Sequence, residues 1–303
     1  MATKKKRFQI AYESPSDKVF LTLMYIILTL VGLAVLIPVL YVVAASFSDP
    51  QAVIEGRVFI WPVNPTLRGY EAVFGYKRIM VGFRNSILYT VVGTIINLAV
   101  TVLAAFPLSR REFRSRRWLN AVFMFTAIFS GGMVPTFLLV SNLGMRNTIW
   151  AMVIPNALSI WNLMITRTYM QNSIPDELYE AATVDGCMPF RYMIQIAIPL
   201  SKPILAVLVL YYGVGHWNSY FNALLYLNRP ELHPLQIALR ELLVINTVDQ
   251  TLITNVEAIA DQQGLVDLLK YATIVVASLP MLMIYPFVQR YFVEGVMIGS
   301  VKG

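Results

Sequence analysis

Six stretches of this chain are long enough to cross a bilayer and contain no Asp, Glu, Lys or Arg: Val19–Phe47, Ser86–Leu108, Trp118–Val140, Thr148–Thr166, Pro203–Leu227 and Tyr271–Gln289. A helix crosses the roughly 30 Å hydrocarbon core with about 20 residues. Lipid offers no partners to backbone N–H and C=O groups, so a spanning segment must satisfy them itself, as a helix or within a closed barrel. The alternating pattern of barrel strands is absent. The expectation is therefore an all-α membrane protein with six transmembrane helices. A composition 57% hydrophobic and 14% charged, with mean hydropathy +0.62, fits a chain whose main solvent is lipid.

Charge sets the orientation of those spans. A formal net charge of +7 could suggest nucleic acid as a partner, but its distribution argues for topology instead. Lys4 to Arg7 with Lys18, the cluster Arg110, Arg111, Arg114, Arg116 and Arg117, and then Arg167, Arg191, Lys202, Arg290 and Lys302 all fall on one side. The positive-inside rule makes that side the cytoplasm and places both termini there. The basic start and first apolar run have the form of a secretory signal ending at Val43-Ala44-Ala45. That run is about twice the apolar length of a signal, so it is expected to stay as the first span. The division is then a cytoplasmic segment 1–18, a transmembrane domain 19–293 and a cytoplasmic tail 294–303. A single cysteine, Cys187, excludes an internal disulfide and is expected as a reduced thiol on the cytoplasmic side.

Three connections face outward. In the first, Ser48 to Asn85, the residues Leu67, Tyr70 and Phe74 recur at helical spacing and predict a short interfacial helix. The second, Ser141 to Asn147, is a tight hairpin. The third, residues 228–270, is polar and far longer than a hairpin needs, which points to a functional or disordered loop. On the inner side, Ser109 to Arg117 is short and basic, explained by topology and contact with anionic lipid.

The inner loop 173–199 carries the most information. Pro175 suits a first helical position, Asp176 and Glu177 complement the positive end of a helix dipole, and Gly186 can take the left-handed conformation that closes a helix. Pro189 then opens a second helical stretch, which Pro199 and Pro203 are expected to break. The result is two short helices about a glycine hinge, an exposed knob shaped to enter a groove on another protein.

Within that loop Glu180-Ala181-Ala182, then Gly186, then Ile196-Ala197-Ile198-Pro199 resembles the EAA loop of permease subunits of binding-protein-dependent ATP-binding-cassette (ABC) importers. Ile198 stands where that family usually has Leu, a volume-conserving difference. The resemblance covers essentially the whole chain. Arg84-Asn85-Ser86 and Pro107-Leu108-Ser109-Arg110 are similar to the two ends of the second span in carbohydrate permeases, where Ala is common at the position of Pro107. Trp217-Asn218 with Asn222-Ala223-Leu224-Leu225-Tyr226 resembles the fifth span, and Gly299 to Gly303 the tail of the maltose-type second permease. Phe106 to Arg110, Gly132 to Thr136 and Gly295 to Gly299 resemble a subgroup associated with polysaccharides and acidic oligosaccharides, alginate importers included.

The resemblance implies a type I ABC importer permease fold with a cytoplasmic EAA coupling helix, in the bacterial inner membrane. It implies as partners a second homologous permease, two ATP-binding cassette subunits, a solute-binding protein and a carbohydrate. The chain has no G-x-x-x-x-G-K-[ST] phosphate loop. ATP and magnesium would be bound by the partner ATPases, and no cofactor, metal or catalytic residue is assigned to this chain. Glu180, Ala181, Ala182, Asp185, Gly186, Ile196 and Pro199 would form the ATPase-coupling set. Gly299, Ser300, Lys302 and Gly303 would reach the ATPase interface, although a frayed terminus explains that tail equally well. The long third outer loop would contact the binding protein.

In the fifth span, His216, Trp217, Asn218, Ser219, Tyr220 and Asn222 interrupt the apolar pattern at a cost in lipid, so they should face protein or water. Aromatic faces and amides suit sugars. Helix-to-helix hydrogen bonding with an interfacial aromatic belt is an equal explanation. Asn97, Pro135, Pro155, Asn156, Trp161 and Asn162 are weaker pathway candidates, the prolines as marks of kinks. Two other classes remain to be weighed: an ion-coupled carrier, which would need ionisable groups inside its spans, and a membrane-embedded glycosyl or lipid transferase, which would need clustered acids or histidines near the interface.

Overall fold

A computed structural model describes residues 15–244 and 256–300, and every regular element among them is helical. In chain order these are α1 (Pro15–Ser46), α2 (Pro50–Ile54), α3 (Arg68–Gly75), α4 (Lys77–Ser109), α5 (Arg116–Ile128), α6 (Met133–Asn142), α7 (Ile149–Val153) and α8 (Ile160–Ser173). They continue with α9 (Asp176–Val184), α10 (Pro189–Tyr192), α11 (Ile198–Leu200), α12 (Lys202–Trp217), α13 (Phe221–Tyr226), α14 (Leu235–Val244) and α15 (Val256–Ser300). The chain divides into two compact units, residues 1–70 with 253–275 and residues 71–252 with 276–303.

In the first unit α1 is apolar on every face and only its last residues, Ala44, Ala45 and Ser46, are buried. Their small side chains let Ala52 and Val58 pack beside them, with Tyr41 and Tyr271 meeting edge to face at 5.8 Å. Ser48 ties the turn after α1, donating from Oγ to the Ala44 carbonyl (2.7 Å) and accepting from the Val63 N–H (3.0 Å). Asp49 caps α2 by accepting from the Gln51 N–H at 3.0 Å, with Pro50 opening the helix. The interfacial helix expected around Tyr70 is α3, and Tyr70 Oη lies 2.8 Å from Ser46 Oγ.

In the second unit α4 is the central helix. Its inward stripe steps by three and four through Ile79, Gly82, Ser86, Tyr89, Gly93, Asn97, Thr101, Ala105 and Leu108, the spacing of one helical face. Most of these residues are small or polar. Lipid supplies no hydrophobic drive between helices, so close backbone approach and interhelical hydrogen bonds must hold them. At Gly82 a Cβ would lie 3.1 Å from the Leu235 backbone of α14, and at Gly93 it would overlap the His216 imidazole of α12.

Three expected spans are not continuous helices. Trp118–Val140 is divided into α5 and α6, bent by 111° where Gly132 takes φ +84°. Thr148–Thr166 is divided into α7 and α8 around Pro155, whose missing N–H cannot continue the ladder. Pro203–Leu227 is divided at 218–220 into α12 and α13. Three helices among the described residues are long and apolar enough to cross a membrane unaided, in α1, α4 and α15, and five if the bent pairs α5–α6 and Pro189–Leu200 with α12 each count as one.

The expected outer loop 228–270 is also corrected. Its described residues form a 3-10 turn at Pro230–Leu232, then α14, then the first residues of α15. Polar residues of α4 strap it down: Asn85 Nδ2 donates to the Glu231 and His233 carbonyls (2.7 and 3.1 Å), Tyr89 Oη to the Leu232 carbonyl (2.7 Å), and Ser86 Oγ accepts from the Leu235 N–H (2.9 Å). Gly299 and Ser300 continue the helix begun at Val256, whereas Lys302 and Gly303, like the basic start Lys4 to Arg7, lie outside the described residues.

Candidate functional site

Two places in the second unit gather the chemistry. The first is a cavity of about 310 Å³ lined by Asn97 of α4, Met152 of α7, Asn156 and Ser159 between α7 and α8, Asn162 of α8, Tyr211, Tyr212, Gly215 and His216 of α12, and Ser219 and Asn222 beyond it. The break at Pro155 makes this wall polar, because unwinding exposes carbonyls that a helix would have used. Asn97 Nδ2 donates to the Asn156 carbonyl at 2.6 Å, which leaves Asn97 Oδ1 to accept from His216 Nε2 at 2.7 Å. Nε2 is therefore the ring nitrogen that carries hydrogen. Ser159 caps α8, accepting from the Asn162 N–H at 3.4 Å. Tyr212 Oη lies 2.7 Å from Thr101 Oγ1 and accepts from the Ser159 N–H at 3.3 Å. The wall offers amides, hydroxyls, phenols and one imidazole, with no charged side chain among the described residues. It can exchange hydrogen bonds with a polyhydroxylated molecule and stack flat apolar faces, within the size range of small-ligand sites.

Of the residues expected in the pathway, His216, Ser219 and Asn222 line the cavity, joined by Asn97, Asn156 and Asn162. Trp217 does not: it is buried, donates from Nε1 to the Ala277 carbonyl (2.9 Å) and meets Phe83 edge on. For this residue the helix-to-helix explanation holds. Asn218 accepts from Gln236 Nε2 at 3.3 Å, and Tyr220 lies beneath the Arg240 guanidinium at 5.6 Å. Trp161 is exposed and Pro135 is away from the cavity. Sequence reasoning missed Ser159, Tyr211 and Tyr212; the adjacent tyrosines within an apolar, glycine-flanked run were the available signal.

The second place is the knob formed by residues 173–199. Asp176 and Glu177 begin α9, and Pro175 precedes it. The helix ends in a Schellman turn: the Gly186 N–H donates to the Thr183 carbonyl (3.0 Å) and the Cys187 N–H to the Ala182 carbonyl (2.8 Å), with Gly186 at φ +74°. Pro189 opens α10. Pro199 does not break the stretch as expected, because the helix widens into a π turn over Met193–Ala197 and the Ile198 N–H reaches Met193. The break falls at Ser201, where the chain bends by 83° into α12. Glu180, Ala181, Asp185, Gly186 and Pro199 are exposed, whereas Ala182 and Ile196 pack on the chain's own core with Tyr179 and Cys187. Val184, Met188 and Phe190 are 88%, 75% and 62% exposed, an apolar surface at the tip of the knob.

Beneath this knob lies a feature that the sequence did not disclose. Arg110, grouped with exposed topology signals, is only 4% exposed. Its guanidinium carbon sits 5.6 Å from the Phe106 ring, 5.7 Å from Tyr179 and 6.0 Å from Tyr192. Nη1 is 3.7 Å from Asp176 Oδ1, while Arg111 Nε holds Oδ2 of the same carboxylate at 3.0 Å. A buried cation costs several kcal/mol in lost hydration; desolvated cation–π contacts worth about 2 kcal/mol each offset much of it. Burial raises the pKa of the Tyr192 hydroxyl despite the lowering pull of Arg110, so the phenol stays neutral beside the cation.

Residues 98–298 match the family described as "Binding-protein-dependent transport system inner membrane component". Protein LplC of Bacillus subtilis is 40% identical over 90% of this chain and 91% of its own length. The polygalacturonan/rhamnogalacturonan transport system permease protein YtcP of the same organism is 36% identical over 95% of this chain and 99% of its own. A crystal structure of a bacterial ABC transporter involved in the import of the acidic polysaccharide alginate contains a chain that superposes with TM-score 0.85. That chain is 32% identical, over 93% of this chain and 99% of its own length. These matches set aside the ion-coupled carrier and the membrane transferase. With its helical spans, its neutral cavity and its exposed knob, the chain belongs to the family of inner membrane components of binding-protein-dependent transport systems, as a non-catalytic ABC permease subunit.

Proposed function

We propose that this chain, with a second homologous permease, forms the pathway by which an acidic oligosaccharide or polysaccharide, pectin-like or alginate-like, enters a bacterium. A solute-binding protein delivers the sugar, and two ATPase subunits, which bind the ATP and magnesium, drive the cycle. In this proposal the chain has six spans with both termini in the cytoplasm, and the knob 173–199 meets those ATPases. The observation that carries this reading is the knob: a helix with Glu180 and Ala181 outward, a hinge at Gly186, and Val184, Met188 and Phe190 uncovered beside it. An exposed apolar surface rimmed by charge suits a protein groove. Rotation of such a rigid knob can be passed to the helices above it. The names of the pectin and alginate relatives support the acidic substrate, and the amide and hydroxyl wall of the cavity supports sugar passage. The tail from Gly299 onward, including Lys302 and Gly303, is assigned to the ATPase interface by the same resemblance.

The test is ATP hydrolysis by the assembled importer in proteoliposomes with its binding protein. Oligogalacturonate or alginate fragments are expected to stimulate hydrolysis, and neutral dextrins are not; the reverse order would overturn the acidic assignment. Glu180→Lys or Gly186→Pro should leave the complex assembled but remove the stimulation, because proline cannot take the positive φ at Gly186. Cys187, the one thiol of the chain, should react with maleimide only when the reagent enters the cytoplasm. Labelling of intact cells by an impermeant reagent would reverse the orientation.

A further inference from the structure

We propose that Arg110 is the positioning residue that fastens the cytoplasmic knob to α4, so that a displacement of α9 and α10 reaches the cavity instead of being absorbed in the loop. This rests on the coupling role proposed for residues 173–199.

The covalent routes out of the knob are irregular at both ends. Toward α8 the chain is extended at Ile174 and Pro175. Toward α12 it passes a π turn and the 83° bend at Ser201. Neither path is a straight helix, although Ile174, Tyr192, Met193 and Ala197 pack in one core with Val102, Ala105 and Phe106 of α4. At the edge of that core, Arg110 adds a route through space that depends on one polar group. It caps the C-terminal end of α4, and its guanidinium touches one ring from each of three elements: Phe106 of α4, Tyr179 of α9 and Tyr192 of α10. Asp176 at the start of α9 faces it from the side and is held in turn by Arg111. Nε donates to Ser109 Oγ at 3.3 Å and Nη2 to the Met170 carbonyl of α8 at 3.4 Å, so α8 joins the same cluster.

The receiving element is a continuous helix. α4 runs unbroken from Lys77 to Ser109, whereas its partners α5–α6, α7–α8 and α12–α13 are each interrupted. Asn97, which holds both the Asn156 carbonyl and His216 at the cavity, stands roughly 20 Å further along that helix at 1.5 Å per residue. One continuous helix, with Pro107 accommodated in its last turn, therefore joins the caged cation to the cavity wall. A surface arginine serving topology alone would need neither burial nor a cage. Arginine suits this place because its flat, delocalised cation stacks on rings, which an ammonium does less well.

The test reads the cavity directly. In the complete importer, with Cys187→Ser to remove the native thiol and Ser219→Cys at the cavity wall, maleimide labelling is compared between the nucleotide-free and the ATP–vanadate-trapped complex. The two states are expected to label at different rates when Arg110 is present. Arg110→Gln should leave the ATPase subunits bound but shrink that difference about tenfold, the scale on which residues along a coupling route act. Arg110→Lys should restore only part of it. A residue that merely stabilised the fold would change both rates together, and that result, or an undiminished difference, overturns the proposal. Should Arg110→Gln fail to assemble, Phe106→Leu removes one ring and keeps the charge pair, and it is held to the same criterion with a smaller loss. Gly186→Pro run in parallel separates the two failures. If it abolishes the difference while Arg110→Gln does not, the fastening role fails and the coupling role stands; if neither variant acts, both fail.

Discussion

α1 and α4 have nearly the same length, 32 and 33 residues, yet they are used in opposite ways. α1 is the more apolar, and none of its most apolar stretch is buried; 44% of the corresponding stretch of α4 is buried. In water this order would be reversed. In lipid an apolar side chain gains little by leaving one hydrocarbon environment for another, so apolar faces can stay outside while glycine, amide and hydroxyl groups turn inward to meet each other. The buried stripe of α4, with Gly82, Ser86, Tyr89, Gly93, Asn97 and Thr101, is the working side of the helix because it is the polar one.

That contrast can be broken or sharpened in four steps of decreasing effect. Gly93→Val places a side chain against the His216 ring, which Asn97 holds in place. It should cost about 3 kcal/mol or more, seen as loss of folded protein on size exclusion in detergent. Asn97→Ala leaves the Asn156 carbonyl and His216 Nε2 without their shared partner. A loss of about 2 kcal/mol is expected, read as a lowered unfolding midpoint in mixed micelles. Ser86→Ala removes one acceptor from the Leu235 N–H and should cost about 1 kcal/mol, with faster proteolysis of the 228–244 strap. Leu28→Ala with Val31→Ala on the exposed face of α1 should stay within about 0.5 kcal/mol. A large loss there would mean that α1 is covered by protein and that the contrast with α4 is not one of lipid against core.

The knob shows how far local chemistry can be read. Pro175, Asp176, Gly186 and Pro189 mark helix ends by what their own backbones and charges can do: α9 begins at Asp176 and ends at Val184, two residues before Gly186, and α10 begins at Pro189. Pro199 misled for an instructive reason. Its missing N–H would orphan one carbonyl in an α-helix, but a π turn shifts the register and avoids the break. Pro155 does break its span, and Pro107 sits inside α4 without ending it. A proline's own sequence context does not separate these outcomes, because they depend on which neighbour takes up the freed carbonyl. The cavity was legible in part. His216, Asn222, Asn97, Asn156 and Asn162 stood out as polar groups in apolar runs, but so did Trp217, whose partner turned out to be the Ala277 carbonyl of α15.

From the amino-acid order alone came the helical class, the charge asymmetry behind the inferred orientation, the hinged knob and the family resemblance. All of these rest on composition or on residues within a few positions of each other. Tertiary structure alone decided that Arg110 leaves the basic cluster for a cage of three rings, that the polar segment after Leu227 is strapped to α4, and that Asn97 joins Asn156 to His216. Those outcomes depend on partners far apart in the chain. The cost of burying a charge or an amide is known only once the groups that will face it have been brought together.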